Sequence, residues 1–139
     1  MTGIILLTYG RIGYELLEAA AHIMNQPVEQ IKVINVYDDP DTPDNLPGQI
    51  ENAIEQLKSA EQCLIVTDLR GCTHFNVARQ FVEPSRVSLV SGLNLPMLLR
   101  LLYHRDEKNL VTLSHFAEEG GVMGISTTSD APAEGGRFL

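Results

Sequence analysis

Short, unbroken apolar runs alternate along this chain with stretches in which apolar residues recur every three or four positions, and that alternation leaves few folds open to it. Residues 3–8 form a continuous apolar run bounded by turn residues, as expected of a strand covered on both faces in a parallel sheet. The run should be the first and central strand. Ile12, Leu16, Ala19, Ala20 and Ile23 then mark the inward face of a helix that ends near Pro27. The pattern repeats with a strand over residues 31–37, an acidic, proline-containing turn over 38–44, and a helix carrying Leu46, Ile50, Ala53, Ile54 and Leu57 and ending near Ser59. Pro47 fits the first turn of that helix, where its missing N–H has no intrahelical partner.

A third strand over residues 63–68 leads into a short helix with Val77, Ala78 and Phe81, and a fourth strand covers residues 87–90. A loop over 92–96 opens an apolar helix over 97–103, and a last helix turns Leu110, Leu113 and Phe116 inward. Gly120 and Gly121 are expected to end it, before a short edge strand over 122–125. The fold class is therefore α/β, a doubly wound and mainly parallel sheet with helices on both faces. Residues 1–126 make one domain, and residues 127–139, rich in Thr, Ser, Ala, Pro and Gly, make a flexible tail.

Bulk properties narrow the function classes. The 139 residues carry a net charge of −8 and show no basic patch, which argues against nucleic acid and anionic lipid as partners. No apolar run is long enough to span a membrane, and the N-terminus has no secretory-signal pattern, so a cytoplasmic protein without membrane insertion is expected. Cys63 and Cys72 lack a CxxC motif or a recurring spacing, which argues against a disulfide framework and a zinc site. No cofactor and no metal are expected.

In a parallel doubly wound sheet, sites lie at the carboxyl ends of the strands. Three loops meet there, containing Tyr9 and Gly10, Asp68 to Thr73, and Gly92 to Pro96. Asp68 could orient a base or bind a metal, or simply cap its loop. Gly71 and Thr73 offer N–H groups and a hydroxyl to an anion, although an ordinary strand-to-helix turn has the same pattern. His74 could take part in proton or phosphoryl chemistry or be a solvated loop residue, and Cys72 reads as a spectator thiol. Asn94, with Pro96 after it, reads as a helix N-cap more than as a site residue. His22, His104 and His115 fall on helices away from the strand ends and read as surface or packing residues.

The ordered set Ile4-Ile5-Leu6-Leu7-Thr8-Tyr9-Gly10, then Ile65-Val66-Thr67-Asp68 with Gly71-Cys72-Thr73-His74-Phe75-Asn76, then Gly92-Leu93-Asn94-Leu95-Pro96-Met97-Leu98 resembles the IIA component of mannose-type sugar phosphotransferase systems. The resemblance covers roughly residues 2–126. It implies a carrier that takes a phosphoryl group from the phosphohistidine of HPr and passes it to a IIB component, in a homodimer that in some members exchanges the last short strand. Asp68 then corresponds to the carboxylate that orients the acceptor histidine, while Gly10, Gly71, Cys72 and Thr73 fall at phosphoryl-binding positions, with His74 and Asn94 as accessory candidates.

Tyr9, however, stands where that family places its acceptor histidine, and Cys72 and His74 stand at its usual second glycine and loop proline. A phenol, with an ordinary pKa of about 10, is a far weaker nucleophile near neutrality than an imidazole at about 6.5. Its phosphate ester is also a poorer donor than a phosphoimidazole. A relay-deficient form is expected, so enzymatic activity stays open, with a non-catalytic regulatory protein of the same fold as the alternative. A receiver-like domain phosphorylated on Asp68 would need an acidic pair after the first strand and a late lysine. Thr8-Tyr9-Gly10 supplies no acid, and no lysine follows residue 108.

Overall fold

The computed structural model describes residues 1–37 and 45–129. Four strands, β1 (Gly3–Tyr9), β2 (Ile31–Val36), β3 (Cys63–Thr67) and β4 (Val87–Ser91), form one parallel sheet in the order β2-β1-β3-β4. Among the described residues, five helices connect and cover them: α1 (Ile12–Met24), α2 (Leu46–Gln56), α3 (Thr73–Arg79), α4 (Leu95–His104) and α5 (Leu110–Met123), with a 3-10 turn at Lys58–Ala60. The expected acidic turn over 38–44 and most of the expected tail lie outside the described residues.

Both faces of β1 and β3 are buried, which is why these strands read as unbroken apolar runs. Side chains alternate between two cores. Ile4, Leu6, Leu64 and Val66 pack with Ala20, Leu98, Leu101, Leu110 and Leu113 beneath α1, α4 and α5. Ile5, Leu7 and Ile65 pack with Ile34, Ile50, Leu57 and Ala78 beneath α2 and α3. The chain leaves β1 toward β2 on one side and toward β3 on the other, so the order reverses between β1 and β3. The carboxyl ends of those two strands flank the crevice where such sheets hold ligands.

Three expectations are corrected. The inward face of α1 runs through Gly13, Leu16, Leu17, Ala20 and Met24, keeping the expected Leu16 and Ala20, while Ile12 and Ile23 are about half exposed. Gly13 sets that rotation: a Cβ there would stand 2.9 Å from Thr8 Oγ1 and 3.2 Å from Leu6 Cβ, so only glycine lets the helix lie this close to β1. Its N–H donates to the buried Thr8 Oγ1 at 2.7 Å.

At the other end of the chain, residues 122–125 form no edge strand. α5 runs through Gly120 and Gly121 to Met123 because both glycines are buried against α4, where Arg100 and Met97 occupy the space a side chain would need. Phe116 is half-buried rather than in the core, edge-on to His104 at 4.8 Å and beneath the cations of Arg100 and Lys108.

Candidate functional site at the carboxyl ends of β1 and β3

Pairing in parallel register brings the end of β1 beside the end of β3, so Tyr9 and Asp68 meet although 59 positions separate them. The Tyr9 N–H donates to Asp68 Oδ2 at 2.9 Å. The other carboxylate oxygen, Oδ1, lies 2.6 Å from His74 Nε2. An ionised carboxylate only accepts, so the proton between these two atoms belongs on Nε2. Asp68 thereby ties β1, β3 and α3 together, with both oxygens engaged and its side chain 11% exposed.

His74 is not the solvated loop residue that the sequence allows. It is the second residue of α3 and fully buried, its ring edge-on to the half-buried Tyr9 ring at 4.7 Å and 88°. Its Nδ1 is buried without a hydrogen-bond partner among the described residues. Cys72 N-caps α3, its Sγ accepting the Phe75 N–H at 3.4 Å, and the same sulfur lies 3.2 Å from His74 Nε2. The Cys72 thiol thus touches the imidazole that Asp68 holds. The Asp-x3-Cys-x-His spacing was the available signal, since a turn followed by one helical step returns all three side chains to one point.

Other candidates divide. Gly71 and Thr73 are exposed beside this cluster, open to an anion. The Gly10 N–H instead donates to the Val36 carbonyl at 2.8 Å, so it serves the sheet and not a phosphoryl group. Asn94 is consumed structurally, its Oδ1 accepting the Met97 N–H at 2.9 Å and its Nδ2 donating to the Gly121 carbonyl at 3.0 Å. His22 and His115 are exposed and His104 is partly so, as expected of surface and packing residues. A groove of about 750 Å³ between α2 and the start of β4, lined by Glu51, Glu55, Phe81 and Val87, opens at the opposite end of the sheet and holds none of these groups.

Residues 3–118 match the EIIA-man family, the fructose IIA component of the phosphotransferase system. The chain belongs to this mannose-type IIA family. Solved structures agree with the assignment. A mannose/sorbose-specific IIA subunit from Enterococcus faecalis is 26% identical, with a TM-score of 0.74 and coverage of 95% of this chain and 97% of that one. The EIIA component from Streptococcus agalactiae is 22% identical, with a TM-score of 0.74 over 91% and 97% of the two chains. A phosphoenolpyruvate-dependent phosphotransferase-system protein from Klebsiella pneumoniae shares the fold at 22% identity and a TM-score of 0.77, over 91% and 90%. Among the described residues of this IIA-family chain, no helix is long and apolar enough to cross a membrane.

Proposed function

We propose that this IIA-family protein binds HPr and a IIB component at the β1–β3 crevice, in the cytoplasm and as a homodimer, but does not relay phosphate between them. The observation that carries the reading is a tyrosine at the end of β1, where the resemblance puts the acceptor histidine, with its backbone N–H held by Asp68. A phenol there is a poor nucleophile and its ester a poor donor, while the anion-facing Gly71 and Thr73 remain exposed for docking.

Transfer of the acceptor role to His74 is disfavoured by the same geometry. Its ring is fully buried and its Nε2 is occupied by Asp68, so neither a donor phosphohistidine nor in-line attack has access. The exposed apolar side chains of Val122, Met123 and Ile125 at the end of α5 favour the homodimer.

Incubation with phosphoenolpyruvate, the general phosphotransferase enzyme and HPr tests the proposal, with intact mass and acid lability as readouts. The parent chain should take up no acid-labile phosphate. A Tyr9→His, His74→Pro double variant, in which Asp68 is released to orient the new imidazole, should be labelled more than Tyr9→His alone. An acid-labile phosphate on the parent that persists in Tyr9→Phe would overturn the blocked-site reading.

A further inference from the structure

The cluster at the head of α3 contains more donor chemistry than docking requires. Asp68, Cys72 and His74 each present one ligand atom, and these three atoms lie within 4.8 Å of one another. From them we infer that the chain binds a divalent ion of the zinc class, held by Asp68 Oδ1, Cys72 Sγ and His74 Nε2. The inference does not depend on the relay reading.

Donor type selects the metal. Magnesium and calcium require oxygen ligands, whereas a carboxylate oxygen, a thiolate and an imidazole nitrogen together suit zinc or cobalt(II). Three protein donors leave a fourth position for water or an anion, as in open tetrahedral sites.

The present distances are those of a hydrogen-bonded cluster. With zinc bonds of about 2.0 Å to nitrogen and oxygen and 2.3 Å to sulfur, tetrahedral edges come to roughly 3.3 Å between nitrogen and oxygen and 3.5 Å between nitrogen and sulfur. His74 Nε2 now stands 2.6 Å from Asp68 Oδ1 and 3.2 Å from Cys72 Sγ. Admitting the ion takes about 0.7 Å more between Nε2 and Oδ1 and about 0.3 Å more between Nε2 and Sγ, with Oδ1 and Sγ, now within 4.8 Å of each other, set about 3.5 Å apart.

The surroundings hold the donors in place. Asp68 Oδ2 is pinned by the Tyr9 N–H, which leaves Oδ1 for the metal. Cys72 Sγ accepts the Phe75 N–H, which fixes the direction of the sulfur. The His74 ring is fully buried, which fixes its orientation, and among the described residues its Nδ1 has no hydrogen-bond partner. On binding, the Nε2 proton is replaced by the metal and the ring carries its proton on Nδ1. The Cys72 thiol proton leaves to solvent, one per ion bound. Oxidation states do not change.

Cobalt(II) titration of the reduced chain tests the site, followed by competition with zinc. A sulfur-to-cobalt charge-transfer band and tetrahedral d–d bands should saturate at one ion per chain and vanish when zinc is added. Cys72→Ser keeps an N-cap for α3 and should fold normally, as circular dichroism would verify, yet lose the charge-transfer band. Its zinc affinity, read against a chromophoric chelator, should fall by more than about 100-fold, beyond the loss from an outer-shell partner. Cys63→Ala should retain both signals. No charge-transfer band in the parent, an unchanged band in Cys72→Ser, or its loss in a folded Cys63→Ala would each overturn the assignment.

Discussion

Cys63 and Cys72 are the same side chain in opposite settings. Cys63 opens β3 with 4% of its surface exposed, and burial pushes its thiol up from 9.0 to about 12. The folded state thus keeps a proton that the unfolded chain surrenders near pH 9. Stability from this group is fully present below that pH and is lost as pH rises from about 9 toward 12, at up to about 1.4 kcal/mol per pH unit. Denaturant melts across this range should fall more steeply for the parent than for Cys63→Ala; parallel curves would refute the assignment.

Cys72, by contrast, sits against an imidazole and a backbone N–H. At this scale the sequence was informative where a residue's role depends on its strand position, as for Asp68 and Tyr9. It was least informative where the role depends on side-chain direction: nothing in the order Cys-Thr-His states that a sulfur and a ring nitrogen converge, or that the histidine is sealed from solvent.

Among elements, two helical glycines make contrasting demands. A Cβ on Gly13 would press on Leu6 Cβ and Thr8 Oγ1 of a central strand that cannot yield, whereas one on Gly120 would meet mainly the Arg100 side chain, with Cδ nearest at 2.6 Å and Cβ at 3.2 Å. Alanine gains roughly 1 kcal/mol over glycine in a helix interior, while overpacking costs about 1–3 kcal/mol. Gly13→Ala should therefore lower unfolding stability by about 2 kcal/mol, and Gly120→Ala should stay within about 1 kcal/mol of the parent because Arg100 can swing aside. Equal losses in urea titrations would show that α5 is packed as rigidly as α1.

These glycines also mark where reading elements from sequence was hardest. Strand runs and the α2 face were legible because period and burial coincide there, down to Leu46, Ile50, Ala53 and Leu57. Glycine carries no hydrophobic signal, so a face built on Gly13 reads as its neighbour Ile12, and a buried pair such as Gly120-Gly121 reads as a stop. The Asn94 cap was legible because Asn followed by a first-turn proline serves a helix start directly.

Over the whole molecule, the amino-terminal edge of the sheet is fastened by a buried cation. Arg105, 4% exposed, donates from Nε to the Thr2 carbonyl at 3.1 Å and from an Nη to the Gln30 carbonyl at 2.8 Å. Burial pushes its guanidinium below the ordinary value, against the opposing pull of Asp106 and Glu29. Arg105→Met fills the volume but takes its donor from the Thr2 carbonyl, while the Gln30 carbonyl keeps the Ile4 N–H at 3.1 Å, and should cost about 2 kcal/mol in thermal or urea unfolding; a change below about 0.5 kcal/mol would show that water serves the Thr2 carbonyl equally well.

The same contact orders events in synthesis. A nascent chain that has emerged only through β3 can pair β1 with both of its neighbours, yet the residue that secures the first strand's leading end lies 103 positions beyond Thr2. Three of the four strands can therefore pair before Arg105 is made, and the leading end of β1 is among the last parts of the sheet to be secured.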